Sequence, residues 1–284
     1  MIYNYKDIPD SVLYAIPIQK KKPGNPGTRS KKRYKDIVCA FDIETTRLDE
    51  KHSIMYVWQF QLGMDLTIMG RSWKECLRFF KRLSESCADD EYFVIYVHNL
   101  SFEFQYLAGQ YHFSNDEVFA VESRRVLKCE MYDHLEFRCS YLHSNMSLDE
   151  YLRKMGVQDL KLSGHDFDYE KLRFPWTDLT ADEVHYCVND VKGLVEALYI
   201  EMHLDNDNLY SIPLTSTGYV RRDVKAAMRE VGPFFRQETI TQLEDIYTFE
   251  RGIPRREYSR KQILLRADSF RSSFCGSLLK LSGY

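Results

Sequence analysis

The spacing of apolar and polar positions changes several times along the chain. Asp36–Glu44 (DIVCAFDIE) is a short apolar run with the character of a strand. Ser53–Leu62 alternates as a second strand, with Gly63–Gly70 in the next hairpin arm, and Trp73–Ser86 repeats at helical spacing. Tyr92–Val97 (YFVIYV) is apolar at every position, as expected of a strand buried on both faces. Phe102–Gly109 opens a helix that ends at a glycine, Val118–Leu142 holds several short strands, and Ser147–Met155 is an amphipathic helix stopped by Gly156. The clearest helix starts at Thr180, where Thr180 and Glu183 form a T-x-x-E capping box. Val184, Val188, Val191, Val195 and Leu198 then recur at helical spacing to about His203, and Tyr186 and Asp190, four apart, share a face beside the valine stripe. Thr215–Val231 is a further helix ended by Gly232–Pro233. Strands interleaved with helices around a buried central strand predict an α/β domain, a mixed central sheet flanked by helices.

Composition narrows the setting. With 284 residues and 44% hydrophobic content the chain can bury one large core or two modest ones. A formal net charge of −3 excludes a wholesale basic nucleic-acid binder, so any such contact must come from local patches. The seven cysteines are scattered from Cys39 to Cys275 with no C-x-x-C pair, which points to reduced thiols in a cytosol-like compartment rather than a disulfide frame or zinc site. No apolar run reaches about 18 residues, so no membrane span is expected. Met1–Pro17 lacks the charged-then-apolar order of a signal peptide. Residues 1–35 have the composition of a basic flexible leader: Lys20, Lys21, Lys22, Arg29, Lys31, Lys32, Arg33 and Lys35 are interleaved with Pro23, Gly24, Pro26 and Gly27. Such a segment serves either as a solvated linker or as an arm for phosphates or a partner.

The chemistry-bearing residues are carboxylates. Asp42 and Glu44 are one residue apart on a strand, so both side chains project to the same face. Two such carboxylates repel unless a cation lies between them, and a divalent oxygen-seeking ion satisfies both. Glu103 follows the buried Tyr92–Val97 strand by a few residues, where α/β folds place their sites. Each feature alone is common: a surface acid pair, a first-turn acid favouring a helix dipole, a half-buried tyrosine with a surface aspartate. Their order is more specific. A strand-borne D-x-E, N-x-x-x-E after a second buried strand, and Y-x-x-x-D (Tyr186, Asp190) in a late helix supply four carboxylates and a phenol.

These motifs resemble the exonuclease domain of family B DNA polymerases, in particular the protein-primed, phage-type branch. The matching segments are AFDIETT (Ala40–Thr46), YVHNLSFEF (Tyr96–Phe104) and YCVNDV (Tyr186–Val191). Between them, NMSLDEY (Asn145–Tyr151) is similar to the branch's S/T-L-x-x-hydrophobic motif, and KLSGHDFDY (Lys161–Tyr169) to its catalytic-lysine segment. The resemblance covers roughly residues 36–230. It departs in two places: Glu103 stands where the family usually has Asp, and extra residues separate Lys161 from Asp168.

The resemblance implies an RNase H-like exonuclease fold and two-metal phosphodiester hydrolysis of single-stranded 3′ ends with Mg²⁺ or Mn²⁺. Asp42, Glu44, Glu103 and Asp190 would be the metal ligands, Tyr186 would orient the attacking water, and Lys161 would neutralise phosphate charge. Thr45, His98, Asn99, Phe102, Ser147, Leu148 and Tyr169 would hold the last nucleotides. The implied organisation is a leader over 1–35, an exonuclease domain over 36–205, and a helical link over 206–284 toward a polymerase palm that this sequence does not contain, with an atypical tail. The implied partners are primer-template DNA and a terminal (priming) protein, for a monomer in the cytoplasm of a phage's host, with no polymerisation by this chain alone. Two other readings stay open: a free-standing exonuclease of the same four-acid class on DNA or RNA, and a non-catalytic remnant that binds single-stranded DNA or the priming protein.

Overall fold

The computed structural model describes residues 2–22, 32–122, 125–157, 168 and 171–230. The elements run β1 (Ile2–Tyr3), a 3-10 turn (Tyr5–Asp7), α1 (Asp10–Tyr14), β2 (Arg33–Arg47), β3 (Ser53–Leu62), β4 (Leu66–Gly70), α2 (Trp73–Glu85), β5 (Glu91–Val97) and α3 (Leu100–Ala108). There follow β6 (Val118–Glu122), β7 (Arg125–Met131), β8 (Leu135–Cys139), α4 (Ser140–Ser144), α5 (Leu148–Met155), α6 (Ala181–Leu204) and α7 (Ser216–Glu230). The strands form one sheet in the order β1-β4-β3-β2-β5-β8-β7-β6. Its centre, β2-β5-β8, is parallel, and the β2-β3-β4 and β8-β7-β6 meanders on either side are antiparallel. The mixed sheet flanked by helices is the architecture that the sequence pattern predicts.

Period-two alternation divides the core. On β2, Cys39, Phe41 and Ile43 face the layer of α2 and α3, packing with Phe79, Phe80, Leu100 and Leu107. Val38 and Ala40 face the other way, with Val94 and Tyr96 of β5, against Val191, Leu194, Val195 and Leu198 of α6 and Tyr151 and Leu152 of α5. Strand β5 is therefore covered on both faces, as its unbroken apolar run requires. Both expected helix starts are built as capping boxes, Ser147 with Glu150 and Thr180 with Glu183, and Gly156 ends α5 at φ 76°, a left-handed conformation that favours glycine. The buried stripe of α6 runs through Cys187, Val191, Leu194, Val195 and Leu198, while Val184 and Val188 are only half-buried.

The leader expected over residues 1–35 is corrected in its described part. Ile2 and Tyr3 pair with β4, and Tyr5, Ile8 and Leu13 are buried in the core. Strand β2 begins at Arg33, three residues inside the expected leader, because the basic side chains find acids distant in sequence. Lys32 pairs with Glu130 and Glu136, Arg33 with Asp90 and Glu91, and buried Lys35 with Glu91. The boundary expected at 205 also shifts, since Leu209 and Ile212 belong to the same core as α6. The compact unit spans Met1–Gly218, and a second spans Tyr219–Tyr284. The described cysteines carry free thiols, Cys87 half-buried and Cys39, Cys76, Cys129, Cys139 and Cys187 buried. Among the described residues no helix is long and apolar enough to cross a membrane.

Candidate metal centre

The face of β2 that carries Val38 and Ala40 continues through Asp42 and Glu44. Helix α6 crosses this face, so the alternation that buries two apolar side chains delivers the next two, both acids, to the same helix. There they meet Asp190. One carboxylate oxygen from each of Asp42, Glu44 and Asp190 lies within 4.8 Å of the others. A bulge follows at once: Glu44 pairs with Val57 but Thr45 with Met55, leaving Tyr56 as the extra residue on β3. Bulges of this kind re-aim side chains at the rim of a site.

Glu103, in the first turn of α3 just beyond the carboxyl end of β5, is only 2% exposed. Its carboxyl donates a hydrogen bond to Asp42, while its Oε2 is buried with no hydrogen-bond partner. The longer Glu therefore reaches the cluster that its position leads to. Tyr186, one helical turn before Asp190, hydrogen-bonds the Asp190 carboxylate.

All four carboxyl pKa values are raised, by burial first, and at Glu44, Glu103 and Asp190 also by the Asp42 charge. Burial, then the charges of Asp42 and Asp190, push Glu44 well above the usual carboxylate range, with Gln59 and Arg173 opposing. Burial and the Asp42 charge do the same to Glu103. Asp190 rises to about 8, through burial first and Asp42 second, against the Tyr186 hydrogen bond. Asp42 rises to about 6 by burial, with Glu103, the Ile43 backbone and Gln59 holding it back. The group is thus an all-oxygen donor set, crowded, partly orphaned and short of positive charge, which is what a hard divalent cation satisfies. The acidic cluster can hold a metal ion.

Two residues of this centre escaped the sequence pattern. Gln59 pairs with Asp42 across β2 and β3, is fully buried, and donates from Nε2 to Asp42 Oδ2 at 2.5 Å. Its signal was a polar residue in an alternating strand, which looks solvent-facing until α6 covers that face. Buried Arg173 donates its N–H to Thr46 Oγ1 at 2.9 Å and pairs with Glu183, and its charge reaches Glu44. No local motif announces it.

The expected nucleotide-contacting residues are placed by their own local structure. Thr45 is half-buried on β2, one residue past Glu44. His98 is half-buried after β5, its Nδ1 3.0 Å from Ser140 Oγ, and burial lowers its pKa to about 4, against a Met146 backbone contact, so the imidazole is neutral at pH 7. Asn99 is exposed in a left-handed conformation (φ 66°) before α3, and Phe102 is 38% exposed with its ring 5.3 Å from Tyr106. Ser147 caps α5 and Leu148 packs on the α5–α6 core. Lys161 and Tyr169 lie outside the described residues.

No family model matches the sequence, and no curated protein does. Solved structures do. Phi29 DNA polymerase complexed with single-stranded DNA matches with a TM-score of 0.51 and 16% identity, over 62% of this chain and 33% of that one. The same polymerase in its post-translocation binary complex with primer-template DNA gives a TM-score of 0.49 at 16% identity, over 61% and 32% of the two chains. The EXO domain of Aedes aegypti Nibbler gives a TM-score of 0.41 at 12% identity, over 60% and 81%. This chain spans about a third of the phi29 polymerase's length. Its fold is the α/β, RNase H-like exonuclease fold.

Proposed function

We propose that the chain carries a metal-dependent 3′–5′ exonuclease centre acting on single-stranded DNA ends, the proofreading part of a protein-primed family B polymerase in phage DNA replication. The observation that carries this reading is the crowded cluster of Asp42, Glu44 and Asp190 at the carboxyl side of the parallel strands, where among the described residues Arg173 is the cation whose charge opposes the raised pKa of Glu44. Asp42, Glu44 and Asp190 would hold two divalent ions, Mg²⁺ or Mn²⁺, with Glu103 completing the set through Asp42 or as a further ligand. Bound there, such ions supply Lewis-acid stabilisation of phosphate charge and a lowered pKa for water.

The chain's own groups do the remaining work. Gln59 fixes the Asp42 carboxylate by its 2.5 Å hydrogen bond to Oδ2. The Tyr186 hydroxyl, which hydrogen-bonds Asp190, would orient a water beside it. Neutral His98 can offer a hydrogen bond without adding charge, and exposed Phe102 offers a ring face to a terminal base. Lys161 and Tyr169 keep the phosphate-neutralising and stacking roles that their motif implies, and Thr45, Asn99, Ser147 and Leu148 complete the strand's contacts. Primer-template DNA and a terminal protein are the partners of the intact replication system, in the host cytoplasm, with this chain a monomer.

The test is release of mononucleotides from end-labelled single-stranded DNA with Mg²⁺ or Mn²⁺. Asp42→Ala/Glu44→Ala should lower the rate by about a thousand-fold or more. A wild-type chain that releases no more than this double variant overturns the reading.

A further inference from the structure

Resting on the exonuclease reading, we infer that the stacked rings of Phe174 and Trp176 form a second base-stacking platform for single-stranded DNA, beside the carboxylate centre. The two rings lie 5.1 Å apart and only 4° from parallel, and Trp176 is 78% exposed. A large aromatic left open to water forgoes burial that the fold elsewhere exploits, so its outer face is available to an occupant.

The segment that carries the pair is held firmly. Arg71 Nη2 donates to the carbonyls of Phe174 and Thr177, at 2.9 and 2.7 Å, while Arg71 Nε holds the Tyr56 carbonyl of the bulge at 2.7 Å. The Phe174 N–H donates to Thr177 Oγ1 at 2.9 Å. The N–H of Arg173, the residue before the pair, donates to Thr46 Oγ1, two residues past Glu44. Through Thr46 and Tyr56 the platform is thus tied to both strands that build the carboxylate site. A rigid, pre-set ring pair stacks on a ligand at little ordering cost.

The geometry selects the occupant. Two parallel rings, the outer one open, present a flat face whose natural complement is another planar ring, and every nucleobase has one. Exposed Arg47 stands in chain beside Thr46, where it can meet a phosphate backbone, and Lys171, two residues before Arg173, is exposed while paired with Glu183 at 2.7 Å. A protein partner would need about 800 Å² of matched surface, and among the described residues the exposed large apolar side chains of this segment and of the turn after β2 are Leu172, Trp176 and Leu48.

The chain's three tryptophans make the test direct, since Trp58 is buried, Trp73 half-buried and Trp176 exposed. Oligo(dT) of twelve nucleotides, added in EDTA so that no hydrolysis occurs, should quench tryptophan emission. Trp176→Ala should weaken binding about ten-fold and remove most of the quench, with Trp176→Phe restoring affinity to within about three-fold. The inference is overturned if the wild type binds no oligonucleotide, if its emission does not change, or if Trp176→Ala binds as the wild type does, the result expected of a protein-docking face. Mononucleotide release with Mn²⁺ is scored separately: its absence beside Trp176-dependent binding sinks the exonuclease reading, whereas release with Trp176-independent binding sinks the platform.

Discussion

Glu136 on β8 and the acid group around Asp42 on β2 are buried in the same sheet, yet their carboxyls shift in opposite directions. Burial alone would raise both. At Glu136, Arg138, Lys128 and Lys32 more than offset it, and the pKa falls to about 2. Arg138 Nη2 is 2.6 Å from Glu136 Oε1, Lys32 is 3.2 Å from Oε2 and Lys128 is 3.8 Å away. At the other site, among the described residues, Arg173 is the cation whose charge acts, through Glu44, and it is already paired with Glu183. One site is neutralised from within the chain. The other, among the described residues, lacks such pairing and can hold a cation from outside.

The comparison breaks most visibly if Glu136 is neutralised. Glu136→Gln leaves buried Arg138 without its anion, while the half-buried Lys32 and Lys128 keep Glu130, and should cost about 3–5 kcal/mol at pH 7 by chemical denaturation. The pH dependence has a fixed sign. The folded pKa lies below the unfolded one, so the stabilisation is fully present above about pH 4.5 and is lost as pH falls toward 2. The variant should lack this acid limb, and a variant within 1 kcal/mol of wild type with the limb intact would show that the Glu136 pairing contributes nothing.

The acid cluster should behave in the opposite sense and by a little less. Asp190 titrates near 8 and Asp42 near 6 in the folded chain, both raised. A raised carboxyl pKa stabilises below the unfolded value and loses that contribution as pH rises through the folded one. In EDTA the chain should therefore lose stability between about pH 4 and pH 8, and Asp190→Asn should flatten the slope. Mn²⁺ at a hundred times its dissociation constant should add about 2.7 kcal/mol to the wild type, and its affinity should be higher at pH 8 than at pH 6, because the ligands must be deprotonated. Equal stabilisation of wild type and Asp42→Asn/Asp190→Asn would show that the ion binds elsewhere.

The two sites were not equally legible in the sequence. Strand alternation put Asp42 and Glu44 on one face and helical spacing did the same for Tyr186 and Asp190, while the order of the motifs and their family resemblance joined the two pairs. Glu103 followed from its position after a buried strand, although only the structure shows its carboxyl meeting Asp42. The neutralised site could not be found this way. Lys32 and Arg33 resemble solvated leader charges until β2 brings them to Glu130, Glu136 and Asp90, about 60 to 100 residues along the chain. The same limit hid the packing of residues 2–14. Arg82 of α2 donates to the carbonyls of Tyr5 and Ile8 and to Asp10, a tie that no local pattern in a short, irregular apolar segment reveals. Hydrophobic period reports local geometry, whereas ion pairing across a sheet is decided by topology.

Gln59 tests whether the cluster's electrostatics are tuned or merely tolerated. Its Nε2 steadies Asp42, and it also hydrogen-bonds Glu44, so it favours the ionised form of both acids. Its Oε1 is a buried acceptor without a hydrogen-bond partner, a cost that a purely structural side chain at this position would avoid. Gln59→Leu removes that orphan along with both useful donors. Fold stability should then change by less than about 1 kcal/mol, because the lost hydrogen bonds are offset by relief of the unsatisfied oxygen and by apolar burial. Metal binding should respond instead: Mn²⁺ affinity should drop about ten-fold, since neighbours that orient metal ligands contribute on that scale. The pH midpoint of Mn²⁺ binding should also move upward, as the acids lose a group that holds their pKa values down. A Mn²⁺ titration that overlays the wild type, with unfolding made easier by more than 1 kcal/mol, would assign Gln59 to the core and leave the carboxylates to set their own charge state.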